Sequence, residues 1–409
     1  MRLEELKKYK KILILGYGKE GQVTEKFFKK YLPEVTIGIA DKKISQNYLN
    51  DQKNYDLVIR SPGIPKKLVT KVYTTATNIF LANIDNIVIG VTGTKGKSTT
   101  ASLIYSILKT AGKKVHLVGN IGLPMLEEML KTIEKNDIFV AELSSYQLDD
   151  IKYSPHIAVV LDLFPEHMNY HGDIKNYYQA KKNIIKYLTA KDYFIYNPKF
   201  LNLCEWVKDV KAKTIPYEEN LPIKDKDIPL LGEHNRENIK AALTVAHIFN
   251  INNKIIIKAI KNFKPLPHRL QLVGNLKGIL FYDDAISTTP ESTIYAIESL
   301  KNIGTIFLGG ENRGYDFSNL VKTIQKYKIA NIVLFPDSGE KILQLLKSQS
   351  EYKPKILVTK NMTDAVSFAY KNTLPGAVCL LSTASPSYSL WKNFEEKGKE
   401  FQFFVKKLC

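Results

Sequence analysis

Residues Gly93-Thr94-Lys95-Gly96-Lys97-Ser98-Thr99 carry the residue types that a phosphate site requires. A β-branched run, Ile87 to Val91, leads into them. A helical pattern leads out, with Leu103, Ile104, Ile107 and Leu108 recurring on one face. A glycine turn between strand and helix aims backbone N–H groups and the positive end of the helix dipole at one spot. Lys97 can reach terminal phosphates there, and the Ser98 hydroxyl can ligate Mg²⁺. The general P-loop pattern has a glycine five residues before Gly96, where this chain has Val91. The remaining residues and their strand–helix context indicate a nucleoside triphosphate, with ATP the expected one.

Such a cradle needs ligands for its metal. Glu142 ends the apolar run Ile138–Glu142 and can hold Mg²⁺ directly or through water. Equally, Ser144 or Ser145 could cap a following helix and leave Glu142 solvated. His167 lies just past another apolar run, Ile157–Asp162, in a strand-end loop where metal contact is more frequent than elsewhere. On a helix expected from Lys175 to Leu188, Lys181 shares one face with Tyr177, Ile184, Ile185 and Leu188. A lysine on an inner face either snorkels or is kept partly neutral by desolvation. A neutral amine could add CO₂ to give a carbamate, a metal-binding anion.

These residues need a scaffold, and the patterns give an α/β chain of three domains. The first, residues 1–86, is Rossmann-like. A strand, Lys11–Leu15, opens into Gly16-Tyr17-Gly18-Lys19-Glu20-Gly21, a helix runs to about Tyr31, and the strand Val35–Ala40 ends at Asp41. It is short for a dinucleotide domain, so a UDP-sugar fits as well as NAD. The second, residues 87–267, is a P-loop ATPase-type α/β domain with strands at 115–118, 138–142, 157–162 and 193–196. Pro265-Leu266-Pro267 marks the next boundary. The third, residues 268–409, reads as another Rossmann-like domain, with strands near 279–283, 305–308, 332–335, 355–358 and 378–381. A terminal helix is expected over Trp391–Lys407.

Composition narrows the function. The chain has 409 residues and a formal charge of +18. Its lysines are scattered, without a dense basic arm or an RNA-binding motif, so anionic small substrates suit them better than nucleic acid. A P-loop ATPase associated with nucleic acid remains the alternative from another class. No apolar run is long enough for a signal-peptide core or a membrane span. Cys204, Cys379 and Cys409 are far apart, without metal or redox spacing. A cytoplasmic monomer, not inserted in a membrane, is expected.

The shortened form Gly93-Thr-x-Gly96-Lys97-Ser98 resembles that of the Mur ligases, which join an amine to a carboxylate at the expense of ATP. The resemblance extends from Lys11 almost to the C-terminus. It includes Ser61-Pro-Gly-Ile64, Gly119-Asn-Ile-Gly-Leu-Pro124, Glu142-Leu-Ser-Ser-Tyr-Gln-Leu148, Glu166-His-Met168, Gly232-Glu-His-Asn235, Leu266-Pro-His-Arg269, Leu308-Gly-Gly310 and Lys392-Asn-Phe-Glu395. The Glu142–Leu148 segment is most similar to that of the members adding D-glutamate to UDP-N-acetylmuramoyl-L-alanine (UDP-MurNAc-L-Ala).

The resemblance implies roles residue by residue. Gly93 to Thr99, with catalytic Lys97, bind ATP phosphates; Asn235, Asn238, His268, Arg269 and Asp284 complete the ATP site. Ser98 and Glu142 hold one Mg²⁺, and His167 with a carbamate on Lys181 serves a second. Lys182 is the alternative carbamate position. Gly16, Gly18, Lys19, Glu20, Gly21, Asp41, Lys42, Ser61 and Gly63 hold the uridine diphosphate, and Asn120, Gln147 and His167 lie near the muramoyl part. Thr288, Arg313, Ser387 and Phe394 take the incoming glutamate. Two segments depart from the family. Asp283-Asp284-Ala285-Ile286-Ser287-Thr288-Thr289 stands where Asn-Asp-Ser-Lys-Ala-Thr-Asn is usual, so Ile286 replaces a lysine and an L-glutamate acceptor becomes the nearest alternative. Thr77–Ile84 is short where the family often has a longer linker with a helix.

Overall fold

The runs Val88–Thr92, Ile138–Glu142 and Ile157–Val160 are buried at every position, as parallel strands covered on both faces must be. The computed structural model describes residues 1–217, 220–348 and 352–409, leaving aside the Asn169 side chain. Among these residues three sheets form. The chain divides into two compact units, residues 1–228 with 234–263, and residues 229–233 with 264–409.

The first unit holds two sheets. One contains β1 (Lys11–Leu15), β2 (Thr36–Ala40), β3 (Leu57–Arg60) and β4 (Tyr73–Thr74) in the order β2-β1-β3-β4, all parallel. The other contains β5 (Val88–Thr92), β6 (Val115–Gly119), β7 (Ile138–Glu142), β8 (Ile157–Val160), β9 (Tyr193–Tyr196) and β10 (Lys213–Pro216), in the order β10-β9-β8-β5-β7-β6. From β5 the chain passes first to one side of that strand and then to the other. The carboxyl ends of β7, β5 and β8 therefore lie side by side at a switch point, where ligands of open α/β sheets bind. The helix Ala76–Asn83 joins the two sheets: Phe80 meets Phe139 of β7 edge to face at 5.4 Å, and both belong to one apolar core.

The second unit has one mixed sheet. Its strands are β11 (Gln271–Leu276), β12 (Ile279–Asp283), β13 (Ile303–Gly310), β14 (Asn331–Asp337), β15 (Lys355–Val358) and β16 (Val378–Leu381), in the order β11-β12-β16-β13-β14-β15. Only β11 runs antiparallel. The ends of β12, β16 and β13 are neighbours, which brings the 283–289, 382–389 and 309–313 segments to one edge.

Several expectations need correction. The 175–188 helix runs over Ile174–Lys182 and tightens to a 3₁₀ turn, Asn183–Ile185. The terminal helix begins at Phe394. The short Thr77–Ile84 segment is a buried helix, Ala76–Asn83, with Ile84 at its end. Among the described residues no helix is long and apolar enough to cross a membrane.

Candidate active site

The phosphate loop follows β5 and feeds the helix Lys97–Thr110. Gly96 caps that helix with φ of 78°, and a Cβ there would lie 2.2 Å from Asn238 Oδ1. Only glycine suits both the left-handed backbone and the close approach. Asn238 accepts a hydrogen bond from Thr100 Oγ1 (3.1 Å) and donates to Asn235 Oδ1 (2.9 Å). Two of the expected ATP residues are thus packed on the loop itself.

Two buried or half-buried amines converge on the loop backbone. Lys97 Nζ donates to the carbonyls of Gly93 (3.0 Å) and Thr94 (2.8 Å). Lys181 Nζ, fully buried, donates to Gly93 O at 2.6 Å and lies 4.9 Å over the Tyr177 ring. Burial, reinforced by the Lys97 charge, holds the Lys181 amine well below the usual lysine range. Burial lowers Lys97 too, against the attraction of Glu142. Of the two sequence readings of Lys181, the structure favours the desolvated amine over the snorkelling one. Lys182 instead pairs with Asp209 at 2.5 Å.

Glu142 ends β7 beside the loop. It is buried, not solvated; its Oε1 accepts from Asn120 Nδ2 (3.0 Å), and its Oε2 has no hydrogen-bond partner among the described residues. A buried carboxylate oxygen without a donor is costly, and a divalent cation satisfies it. Ser144 does cap the next helix, in a capping box with Gln147, but Glu142 is not left solvated. His167 caps the turn Met168–His171 with φ of 59°. Desolvation and the neighbouring lysines Lys97 and Lys181 outweigh Glu166 and push its imidazole down to about 4, leaving a neutral ring able to ligate a cation. Among the described residues no three of His, Cys, Asp and Glu are grouped to hold a metal. An ion here would need the Ser98 hydroxyl and nucleotide oxygens as well, a set that would suit Mg²⁺.

At the edge of the first sheet, Gly16, Asp41 and Ser61 follow β1, β2 and β3. Asp41 accepts from the amides of Tyr17 (2.6 Å) and Lys43 (2.8 Å), and these bonds, Lys43 first, hold its carboxyl below the usual range. Ser61 Oγ donates to Gly16 O at 2.7 Å. A Cβ on Gly21 would lie 2.4 Å from Gly16 O, so the third glycine lets the helix Lys19–Tyr31 pack close. Gly18 is the helix cap, and Lys19, Lys42 and Gly63 are exposed. Glu20 is partly covered; burial pushes it up to about 7 against the pull of Arg60 and a hydrogen bond from Gln147.

The second unit gathers the remaining expected residues. His268 Nδ1 pairs with Asp283 Oδ2 at 2.6 Å, and Ile286 N donates to His268 O. Asp284 accepts from Leu270 N (3.1 Å) and Ser382 Oγ (2.8 Å), and burial pushes its carboxyl up to about 6. Arg269 and Thr288 sit on either side of this pair in sequence. Ser387 is buried, and its hydroxyl has no hydrogen-bond partner among the described residues. The amides of Leu390 and Trp391 donate to Ser387 O, leading the chain to Phe394 at the start of its helix. Arg313 is exposed, paired with Glu311 (2.7 Å) and 5.7 Å over the Tyr388 ring.

Sequence reasoning missed three residues. Asp162 Oδ1 accepts from the amides of Thr94 (2.5 Å) and Lys95 (2.9 Å), holding the phosphate loop from β8. Its place at the end of an apolar run was the available signal. Lys397 is fully buried beside Thr383 and carried no signal on a helix rich in exposed lysines. Arg60, at the end of β3, is also fully buried; a charge closing an apolar strand was its only mark.

The Mur ligase middle-domain model matches residues 91–226, and the model described as Mur ligase, glutamate ligase domain, matches residues 268–384. The UDP-N-acetylmuramoylalanine--D-glutamate ligase of Ligilactobacillus salivarius is 32% identical, over 100% of this chain and 98% of its own length. The chain belongs to the Mur ligase family. The enzyme of the same name from Streptococcus agalactiae is 31% identical over 96% of each chain. In fold the chain is similar to the MurF ligase of Thermotoga maritima solved with ADP. The TM-score is 0.65 at 16% identity, covering 97% of this chain and 95% of that one. The MurC ligase of the same organism gives the same TM-score and identity.

Proposed function

We propose that this Mur ligase joins D-glutamate to UDP-MurNAc-L-Ala, forming an amide as ATP goes to ADP and phosphate. The observation that carries the reading is the phosphate loop, whose Lys97, Lys181 and Glu142 surround one point with buried, unevenly satisfied charge. Its near-full-length likeness to D-glutamate ligases favours this acceptor over L-glutamate, and the ligase over a nucleic-acid ATPase.

Residues 1–86 serve as the UDP module, residues 87–267 as the ATP module and residues 268–409 as the amino-acid module. The loops after β1, β2 and β3 hold the uridine diphosphate, and Asn120, Gln147 and His167 hold the muramoyl end. The loop amides and Lys97 grip the ATP phosphates, while Asn235, Asn238, His268, Arg269 and Asp284 hold the nucleoside. The substrate carboxylate attacks the γ-phosphorus, giving an acyl phosphate and ADP. The amine of glutamate then attacks the acyl carbon, and phosphate leaves. Ser98 and Glu142 would hold one Mg²⁺, and His167 with carbamylated Lys181 a second, and the chemistry such ions would supply is neutralisation of charge on the phosphoryl group. The desolvated amine of Lys181 is the chemical support for the carbamate, since only the neutral form adds CO₂. The orphan hydroxyl of Ser387 and the helix-end amide at Phe394 receive the side-chain carboxylate, with Thr288 and Arg313 alongside. Arg313 offsets the lysine lost at Ile286. The enzyme works in the cytoplasm as a monomer.

Phosphate release with ATP, Mg²⁺ and UDP-MurNAc-L-Ala tests this. D-glutamate should support turnover, L-glutamate and no amino acid should not; turnover independent of the muramoyl substrate would overturn the reading.

A further inference from the structure

The Arg60 side chain is fully buried in the first unit, and its guanidinium bonds to four separate segments. Nε and Nη2 both reach Asp150 Oδ2 at 2.9 Å. Nη1 donates to the carbonyls of Ser61 (3.4 Å), Pro62 (3.3 Å) and Ile64 (2.5 Å), curling the loop after β3 around the charge. Nη1 also donates to Tyr170 Oη (3.1 Å), and Nη2 to Tyr146 O (3.3 Å). Asp150 is itself fixed, because Asn78 of the helix Ala76–Asn83 bridges Asp150 O and Lys152 N.

These partners are not scattered. Ser61 and Gly63 belong to the expected diphosphate site. Tyr146 adjoins Gln147, and its ring stands 5.0 Å from His167 and 4.5 Å from Tyr170. One planar, permanently charged fork therefore ties the nucleotide end of the site to the end where the metal and phosphate loops meet. A rigid fork does this where a flexible ammonium could not. Arg60 itself has no surface left for a ligand.

We propose that Arg60 is a positioning residue for the extended substrate, fixing the separation between the loops that hold the uridine diphosphate and those that hold the reacting end. The inference rests on the substrate reading above. A ligand that binds two subsites gains affinity over its fragment only when the subsites are held at the matching span. Loss of Arg60 should thus weaken the long ligand more than the short one.

The test is calorimetric affinity for ADP, UDP and UDP-MurNAc-L-Ala in the wild type, Arg60→Lys and Tyr170→Phe, with the melting temperature of each. In Arg60→Lys the advantage of UDP-MurNAc-L-Ala over UDP should fall about tenfold while ADP affinity stays within about twofold. Tyr170→Phe removes the hydroxyl that accepts from Arg60 and donates to the Pro62 and Ile64 carbonyls of the same joint and should lower the advantage by about threefold, so it carries the test if Arg60→Lys does not fold. An unchanged advantage in a folded variant overturns the proposal. So does a parallel loss for all three ligands, which would make Arg60 a plain staple of the fold. A wild type that binds UDP-MurNAc-L-Ala no better than UDP overturns the substrate reading itself, and this inference with it.

Discussion

Gly96→Ala probes the contact between the phosphate loop and the Asn235/Asn238 helix. Alanine at φ of 78° costs about 1–2 kcal/mol for the left-handed backbone. Its Cβ would also lie 2.2 Å from Asn238 Oδ1 and 3.2 Å from Leu161 Cδ1. Asn238 must then give up its bonds with Thr100 and Asn235, each worth about 1 kcal/mol net. The substitution should therefore destabilise the first unit by about 3–4 kcal/mol. In an Asn238→Ala background those bonds are already gone, and Gly96→Ala should cost only the backbone part, about 1–2 kcal/mol. The two tryptophans lie in different units, Trp206 in the first and Trp391 in the second. In a Trp391→Phe background, fluorescence during urea unfolding reports the unit that holds Gly96. The coupling expected from this double-mutant cycle is about 2 kcal/mol. An equal cost of Gly96→Ala in both backgrounds would refute the argument, because it would mean Asn238 is not what fills the space beside Gly96.

Other outcomes follow from the same site. Lys97→Ala should abolish phosphate release, and near-normal turnover would remove the loop from the chemistry. Lys181→Ala should be inactive yet partly restored by formate or acetate, which can occupy the place of a carbamate; no restoration would reduce Lys181 to its bond with Gly93 O. Asp284 ionises at about 6 in the fold against an ordinary 3.8. Because the folded state holds this proton more tightly, its stabilising contribution is full below pH 3.8 and is lost as pH rises through 6. Asp284→Asn should thus gain about 3 kcal/mol of unfolding free energy relative to wild type between pH 3.8 and pH 7. A pH-independent difference in urea denaturation would contradict a burial cost that outweighs the hydrogen bonds of that carboxyl.

Much of the candidate site was legible because its residues are local in sequence. Gly93 to Thr99 form one turn, and Gly16 to Gly21 another, so strand, glycines and helix appear in a single window. Glu142 ends one apolar run, and Asp41 and Ser61 follow two others that read as strands, which places all three at carboxyl ends of strands. What was not legible depends on contacts between distant segments. Arg60 bonds to residues 146, 150 and 170, and no local pattern announces that. The helix Ala76–Asn83 is buried on nearly every side, so it lacks the amphipathic period that marks a surface helix. β11 has a bulge at Val273, between Leu272 and Gly274, against β12, which breaks the alternation expected of an edge strand. The end of the 174–182 helix escaped because the 3₁₀ turn after it keeps Ile184 and Ile185 on the buried side.

The central claim is that this chain forms one amide bond to glutamate of a single configuration. The most direct measurement is mass spectrometry of the muramoyl product after incubation with ATP, Mg²⁺, UDP-MurNAc-L-Ala and equal amounts of isotope-labelled D-glutamate and unlabelled L-glutamate. A product heavier by one labelled glutamyl residue, formed with equimolar ADP and phosphate, is the predicted result. An unlabelled adduct, or ATP hydrolysis without any adduct, would contradict it.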